Sequence, residues 1–115
     1  SNRDGAQRTG YLYKRGEINR AWRLRYCTLN GNKLYYYKTA DAKSSAGHIA
    51  LDQSVVRRAK HDASRPHAFE VVTRARIYLL AARTDDELRA WMSSLASLTE
   101  LRDENELIVR AEPLI

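Results

Sequence analysis

Lys14, Arg23 and Arg25 are the side chains of this sequence best placed to do chemistry together. They stand in the stretch 10–29, GYLYKRGEINRAWRLRYCTL. It parses as two short strands, one near 10–15 and one from about Ala21 to Leu29. Gly16-Glu17-Ile18-Asn19-Arg20 is the turn between them. Alternate residues of a strand point to opposite faces. Arg23, Arg25, Cys27 and Leu29 therefore share one face of the second strand, and Leu12 and Lys14 share one face of the first. Each face runs from apolar to cationic, so Leu12, Cys27 and Leu29 can enter a core while the three cations sit at its rim. A hairpin brings rim residues together, and keeping three cations close costs self-repulsion. A polyanion between them removes that cost. Phosphate suits best, because Arg offers a planar fork for two oxygens and Lys a point charge. The same pattern also fits a half-solvated hairpin whose basic residues simply face water. Ile18, at the tip between Arg15 and Arg20, either dips into a lipid interface or folds back on its own hairpin.

These residues need a scaffold, and composition bounds it. A chain of 115 residues with 43% hydrophobic content is one domain with a real core. Residues 1–8 read as a flexible N-terminal linker or a remnant outside the fold. No apolar run approaches ~18 residues and no signal peptide is visible. The single cysteine, Cys27, excludes an internal disulfide and reads as a buried, inert thiol. Residues 1–60 hold 13 Lys and Arg against 4 Asp and Glu, a net +9, while residues 61–115 hold 7 against 10, a net −3. An acidic partner therefore docks on the N-terminal half, with nucleic acid and an anionic membrane as the candidates.

After the hairpin, Asn30-Gly31-Asn32 signals a turn, and Lys33 to Lys38 a third strand. Thr39 to Ala46 reads as a polar loop. Short strands follow at His48–Leu51, Ser54–Arg58, Ala68–Val72 and Arg76–Ala81, with Thr73-Arg74-Ala75 a tight turn. Then the period changes from two to 3.6. Thr84 is an N-cap and Glu87 completes a capping box. Leu88, Trp91, Met92, Leu95 and Leu98 form one apolar stripe. The spacing predicts a helix to at least Glu100, and the first part of the tail extends that pattern as far as Val109. Seven strands and one C-terminal amphipathic helix make a mainly β domain. Such a sheet must close or pack on itself. The helix would cover one open end and the charged rim would lie at the other.

This order of elements resembles a pleckstrin homology domain over residues 9–101. The resemblance is carried by Gly10-Tyr11-Leu12-Tyr13-Lys14, Trp22 to Leu29, Leu34 to Tyr37, Phe69-Glu70-Val71, Tyr78 to Ala81, and the helical Glu87 to Met92. It implies a seven-stranded barrel or orthogonal sandwich capped by the helix, with residues 102–115 a helix extension or tail. It also implies a binding module for phosphoinositide headgroups. Lys14, eight spacer residues, Arg23, Leu24 and Arg25 resemble the pattern of the subset that prefers 3-phosphorylated phosphoinositides, the trisphosphate with phosphates at 3, 4 and 5 or the 3,4-bisphosphate. By that resemblance Lys14, Arg23 and Arg25 grip ring phosphates and the Tyr36 hydroxyl donates to one. Where selective members carry an Arg before the fourth strand this chain has Ala46, and Lys43 in the same loop is the substitute. Arg74 and Arg76, at the sixth-to-seventh turn, and Arg15 and Arg20, in the first turn, add charge to the mouth.

The resulting expectation is a phosphoinositide-binding membrane-recruitment module, peripheral at the cytosolic face of membranes. The alternative is a domain of the same family that binds a protein partner, with weak or no lipid selectivity. No nucleic acid is expected, since Tyr35 and Tyr37 read as strand residues rather than a stacking platform. His48, His61 and His67 have no metal-ligand spacing, and no nucleophile has a base beside it, so neither a metal, a cofactor nor catalysis is expected.

Overall fold

The computed structural model of the chain describes residues 5–59 and 64–99. They form β1 (Arg8–Arg15), β2 (Trp22–Asn30), β3 (Lys33–Tyr37), β4 (Gly47–Ala50), β5 (Val55–Arg58), β6 (Ala68–Val72), β7 (Ile77–Ala81) and α1 (Asp85–Ala96). All seven strands join one sheet in the order β4-β3-β2-β1-β7-β6-β5, and every pairing is antiparallel. β1 is the seam. It pairs with β2 along its whole length, from Arg8↔Leu29 to Arg15↔Trp22. It meets β7 only at Tyr13↔Ala81 and Lys14↔Leu80. So short a ladder lets the sheet curl there.

The core is the one the period-two pattern forecasts. Leu12, Cys27, Leu29, Leu34, Ile49, Phe69, Val71 and Leu80 form one buried cluster with Leu88, Trp91 and Leu95 of α1. Trp91 is the largest buried side chain. Burying a tryptophan contributes about 4–6 kcal/mol gross, before ordering entropy is subtracted. Burial pushes the Cys27 thiol up to about 12, as an inert thiol requires.

Local signals set the element boundaries. Gly31 in the β2–β3 turn has φ 64, the left-handed region that glycine enters without strain. Thr84 caps α1, its hydroxyl accepting from the Glu87 amide at 3.1 Å. Most boundaries match the sequence reading to within one residue, and two differ by more. β1 begins at Arg8, and Gln7 is already tied down: its amide N donates to the Leu29 carbonyl at 2.8 Å, and its side chain brackets Gly31. The helix ends at Ala96, short of Glu100. The cause is local: the Ser97 and Thr99 hydroxyls donate to the carbonyls of Ser94 and Ala96, and the Leu98 and Thr99 amides reach back only three residues. Such bonds compete with the α-helical ladder. The expected extension to Val109 and the tail 102–115 lie outside the described residues. Among the described residues, no helix is long and apolar enough to cross a membrane.

Candidate functional site

The β1–β2 register decides whether the three cations meet. Lys14 pairs with Arg23, and Leu12 pairs with Arg25. All three cations therefore stand on the inward-curling face, at the end of the ladder nearest the turn. Cys27 pairs with Tyr36, which brings the phenol to the same face. Arg76, just before β7, and Tyr78 and Leu80 within it alternate on one side, and Leu80 pairs with Lys14.

Lys14 is the centre of this arrangement. Its Nζ lies 4.7 Å from the centre of the Tyr36 ring and 5.9 Å from that of Tyr78. A cation held near aromatic faces gains about 0.5–2 kcal/mol, more as water is excluded. The Arg76 guanidinium stacks on the outer part of the same group, 4.2 Å from the Tyr78 ring centre. Burial lowers the pKa of Lys14 below the usual lysine value, and the nearby charges of Arg76 and Arg25 lower it further. Tyr36 is shifted upward, first by burial and then by Tyr78, so its hydroxyl stays protonated and able to donate. Tyr36 reaches that position by lying across its register partner Gly47: a Cβ there would be 2.6 Å from the phenol Cζ.

Little counter-charge is built in. The Arg76 Nη1 is 2.7 Å from the Glu17 carboxylate, which ties the β6–β7 turn to the β1–β2 turn. The Arg25 Nη1 donates to the Leu24 carbonyl at 3.0 Å, a neutral partner. Arg23 is exposed. Among the described residues, Lys14, Arg23, Arg25 and Arg76 are thus four cations beside the one carboxylate of Glu17.

The remaining candidates fall elsewhere. Arg15 is one residue out of phase with Lys14 and lies on the opposite face of β1. Its Nε donates to the Arg20 carbonyl, and both residues line a cleft of about 280 Å³ with Glu17, Arg76 and Ile77. Arg74 donates to the Gln53 side chain at 3.0 Å. Lys43 is exposed in the β3–β4 loop, beside Lys38 and Ser45 in a shallow pocket. Ile18 is 96% exposed, so it projects from the turn instead of folding back. Sequence reasoning missed Tyr78 as a site residue. The available signal was its phase, since Tyr78 shares a face with Arg76 on one side and Leu80 on the other. Nothing in the sequence pointed to Gly47 as the rest for Tyr36.

Residues 6–100 match the family model for the PH domain. The chain is 37% identical to human Sesquipedalian-1 over 106 residues, which covers 88% of this chain and 40% of that protein. It is 34% identical over 92 residues to a RAC family serine/threonine-protein kinase homolog of Dictyostelium discoideum, covering 80% of this chain and 21% of that one. This chain therefore spans well under half the length of these relatives. Among solved structures, the C-terminal PH domain of pleckstrin in complex with D-myo-Ins(1,2,3,4,5)P5 superposes with a TM-score of 0.73 at 26% identity, covering 83% of this chain and 99% of that one. The Slm1 PH domain in complex with phosphoserine has a TM-score of 0.72 at 20% identity, covering 84% of this chain and 97% of that one, a likeness of fold alone.

Proposed function

We propose, on the premise that this chain belongs to the PH domain family, that it binds phosphoinositide headgroups and so recruits the protein it is part of to the cytosolic face of an anionic membrane. The observation that carries this reading is the state of Lys14. Its ammonium lies near two tyrosine rings, and burial first, then the charges of Arg76 and Arg25, lower its pKa. A site that gathers cations at this cost is complementary to a polyanion. In this reading Lys14, Arg23 and Arg25 hold ring phosphates, Tyr36 donates its hydroxyl to one, and Ile18 touches the lipid. Charge-assisted hydrogen bonds of about 1.5–3 kcal/mol each supply the selective part. Diffuse attraction of about 1 kcal/mol per basic residue near the surface supplies the rest.

The finer assignment is a preference for 3-phosphorylated headgroups. It is supported by the spacing of Lys14, Arg23 and Arg25, while the pleckstrin domain, bound to two inositol pentakisphosphates, supports recognition of polyphosphorylated inositol in general. The test is a titration of vesicles carrying each phosphorylated inositol isomer, with Arg25→Ala alongside. Arg25→Ala is expected to lose roughly tenfold to hundredfold in affinity, the equivalent of one charged hydrogen bond, with an unchanged melting temperature. Undiminished binding by a folded Arg25→Ala variant overturns the site. Equal affinity for all isomers, lost in moderate salt, overturns the selectivity.

A further inference from the structure

We infer that the membrane contact is two-pronged, with Ile77 at the start of β7 entering the lipid interface beside Ile18, and the Glu17–Arg76 ion pair holding the prongs together. This rests on the lipid-binding reading above and extends it to the geometry of docking. Three large apolar side chains are exposed among the described residues: Ile18 at 96%, Ile77 at 48% and Leu24 at 40%. Two of them are sequence neighbours of the two ends of one ion pair, since Glu17 precedes Ile18 and Arg76 precedes Ile77. The segments they occupy are distant in sequence, and the pair closes that gap at 2.7 Å.

Both turns are short and held from within. The Gly16 amide donates to the Ala21 carbonyl, and the Thr73 amide and hydroxyl both donate to the Arg76 carbonyl. The cleft between them is about 280 Å³, with Arg15, Arg20 and Arg76 around it and Ile77 in its wall. Apolar tips set among arginines fit one occupant, the interface of an anionic bilayer. The tips enter the acyl boundary and the guanidiniums meet lipid phosphates. Glu17 would be repelled by such a surface if it were free. Paired to Arg76 it is neutralised, and the pair strengthens as the local dielectric falls. Two apolar tips and the headgroup mouth make three points of contact, so the domain docks at a fixed tilt where one insertion point would let it pivot.

The experiment compares Ile18→Ser and Ile77→Ser in two assays. One is partitioning onto zwitterionic vesicles doped with phosphatidylserine and a phosphoinositide. The other is binding of the same headgroup as a soluble inositol phosphate. Partitioning is expected to fall on the order of fivefold for the half-covered Ile77 and on the order of tenfold for Ile18, with soluble headgroup binding unchanged. Depth is read by an environment-sensitive fluorophore placed on Ile77→Cys or Ile18→Cys. The native Cys27 is buried, with its thiol pushed up to about 12, and does not compete for the label. Both positions should report an apolar environment on anionic vesicles. A probe at 77 that stays in water while the headgroup still binds overturns the second prong alone. Loss of both vesicle and soluble headgroup binding in the unsubstituted protein overturns the underlying function as well.

Discussion

Replacing Gly47 with alanine tests the site through an atom the protein lacks. Gly47 opposes Tyr36 in the β3–β4 ladder, and the phenol lies over it. The added methyl would stand 2.6 Å from Cζ and nearer still to the hydroxyl. Carbon atoms rest ~3.5–4.0 Å apart, so alanine and the observed ring position exclude each other. The backbone raises no objection, because Gly47 is not among the glycines at positive φ. Reduced freedom of the unfolded chain would even favour alanine by about 0.4–1 kcal/mol. Against that stands an overpacking cost of about 1–3 kcal/mol if the ring stays. The cheaper response is for the half-buried ring to swing outward, leaving stability within about 1 kcal/mol of the starting value. The site then loses the Tyr36–Lys14 stacking, ~0.5–2 kcal/mol, and the hydroxyl's hydrogen bond to phosphate, ~1.5–3 kcal/mol gross. Together these, ~2–5 kcal/mol gross, predict roughly thirtyfold to several-thousandfold weaker binding. Calorimetric titration with a soluble inositol polyphosphate measures it, within a double-mutant cycle using Tyr36→Ala. In the Tyr36→Ala background the methyl has room, and Gly47→Ala should cost less than about 0.5 kcal/mol of further binding energy. An equal loss in both backgrounds would mean that the substitution acts through the β4 backbone, and the reasoning fails. Unchanged binding in the Tyr36-containing protein would remove the ring from the site.

Two further outcomes follow from the same geometry. Free Lys14 has a lowered pKa and a bound polyanion raises it, so headgroup affinity is full below the free-state value and declines as pH rises through it, in a window that opens below the ordinary 10.5. Stability of the unliganded domain moves the other way there, rising with pH because the unfolded chain binds the extra proton. Titrations of Lys14→Arg, which does not deprotonate, should show no such decline. At the opposite end, Thr84→Ala removes the acceptor for the Glu87 amide and should cost about 1 kcal/mol, or roughly 4–8 °C in Tm for a domain of this size, with headgroup affinity unchanged well below the transition.

The fold was legible because its two periods are cleanly written. Leu12, Cys27, Leu29 and Leu34 keep the period of two, and Leu88, Trp91 and Leu95 keep that of 3.6, and all are buried in one cluster. The helix terminus was not legible, because Leu98 continues the apolar stripe while Ser97 and Thr99 break the ladder with hydroxyl bonds that no hydrophobic pattern reports. The site divides the same way. The convergence of Lys14, Arg23 and Arg25 needs only strand phase and a hairpin, and the register gives it. The part Tyr78 and Gly47 play depends on how far the sheet curls at the β1–β7 seam and on a rotamer crossing to the next strand. Neither is a property of one segment. Arg15 shows the limit from the other side: it is a basic residue adjacent to Lys14, yet strand alternation sends it to the outer cleft.

The two ends of β1 explain how the domain tolerates such a mouth. At the Arg8 end the strand is anchored: the Arg8 guanidinium lies 5.3 Å from the Trp91 ring centre and Gly10 rests against the indole. At the Lys14 end it carries charges that repel one another. The six residue steps from Arg8 to Lys14 separate these ends by roughly 20 Å. Exposed charges are screened within about 8–10 Å at physiological salt, so crowding at one end does not reach the packing at the other. The helix and core can therefore hold the cations together against their repulsion. On the proposed reading, a polyanion seated there would turn that repulsion into attraction, and what the free domain loses in stability at Lys14 would return as binding energy.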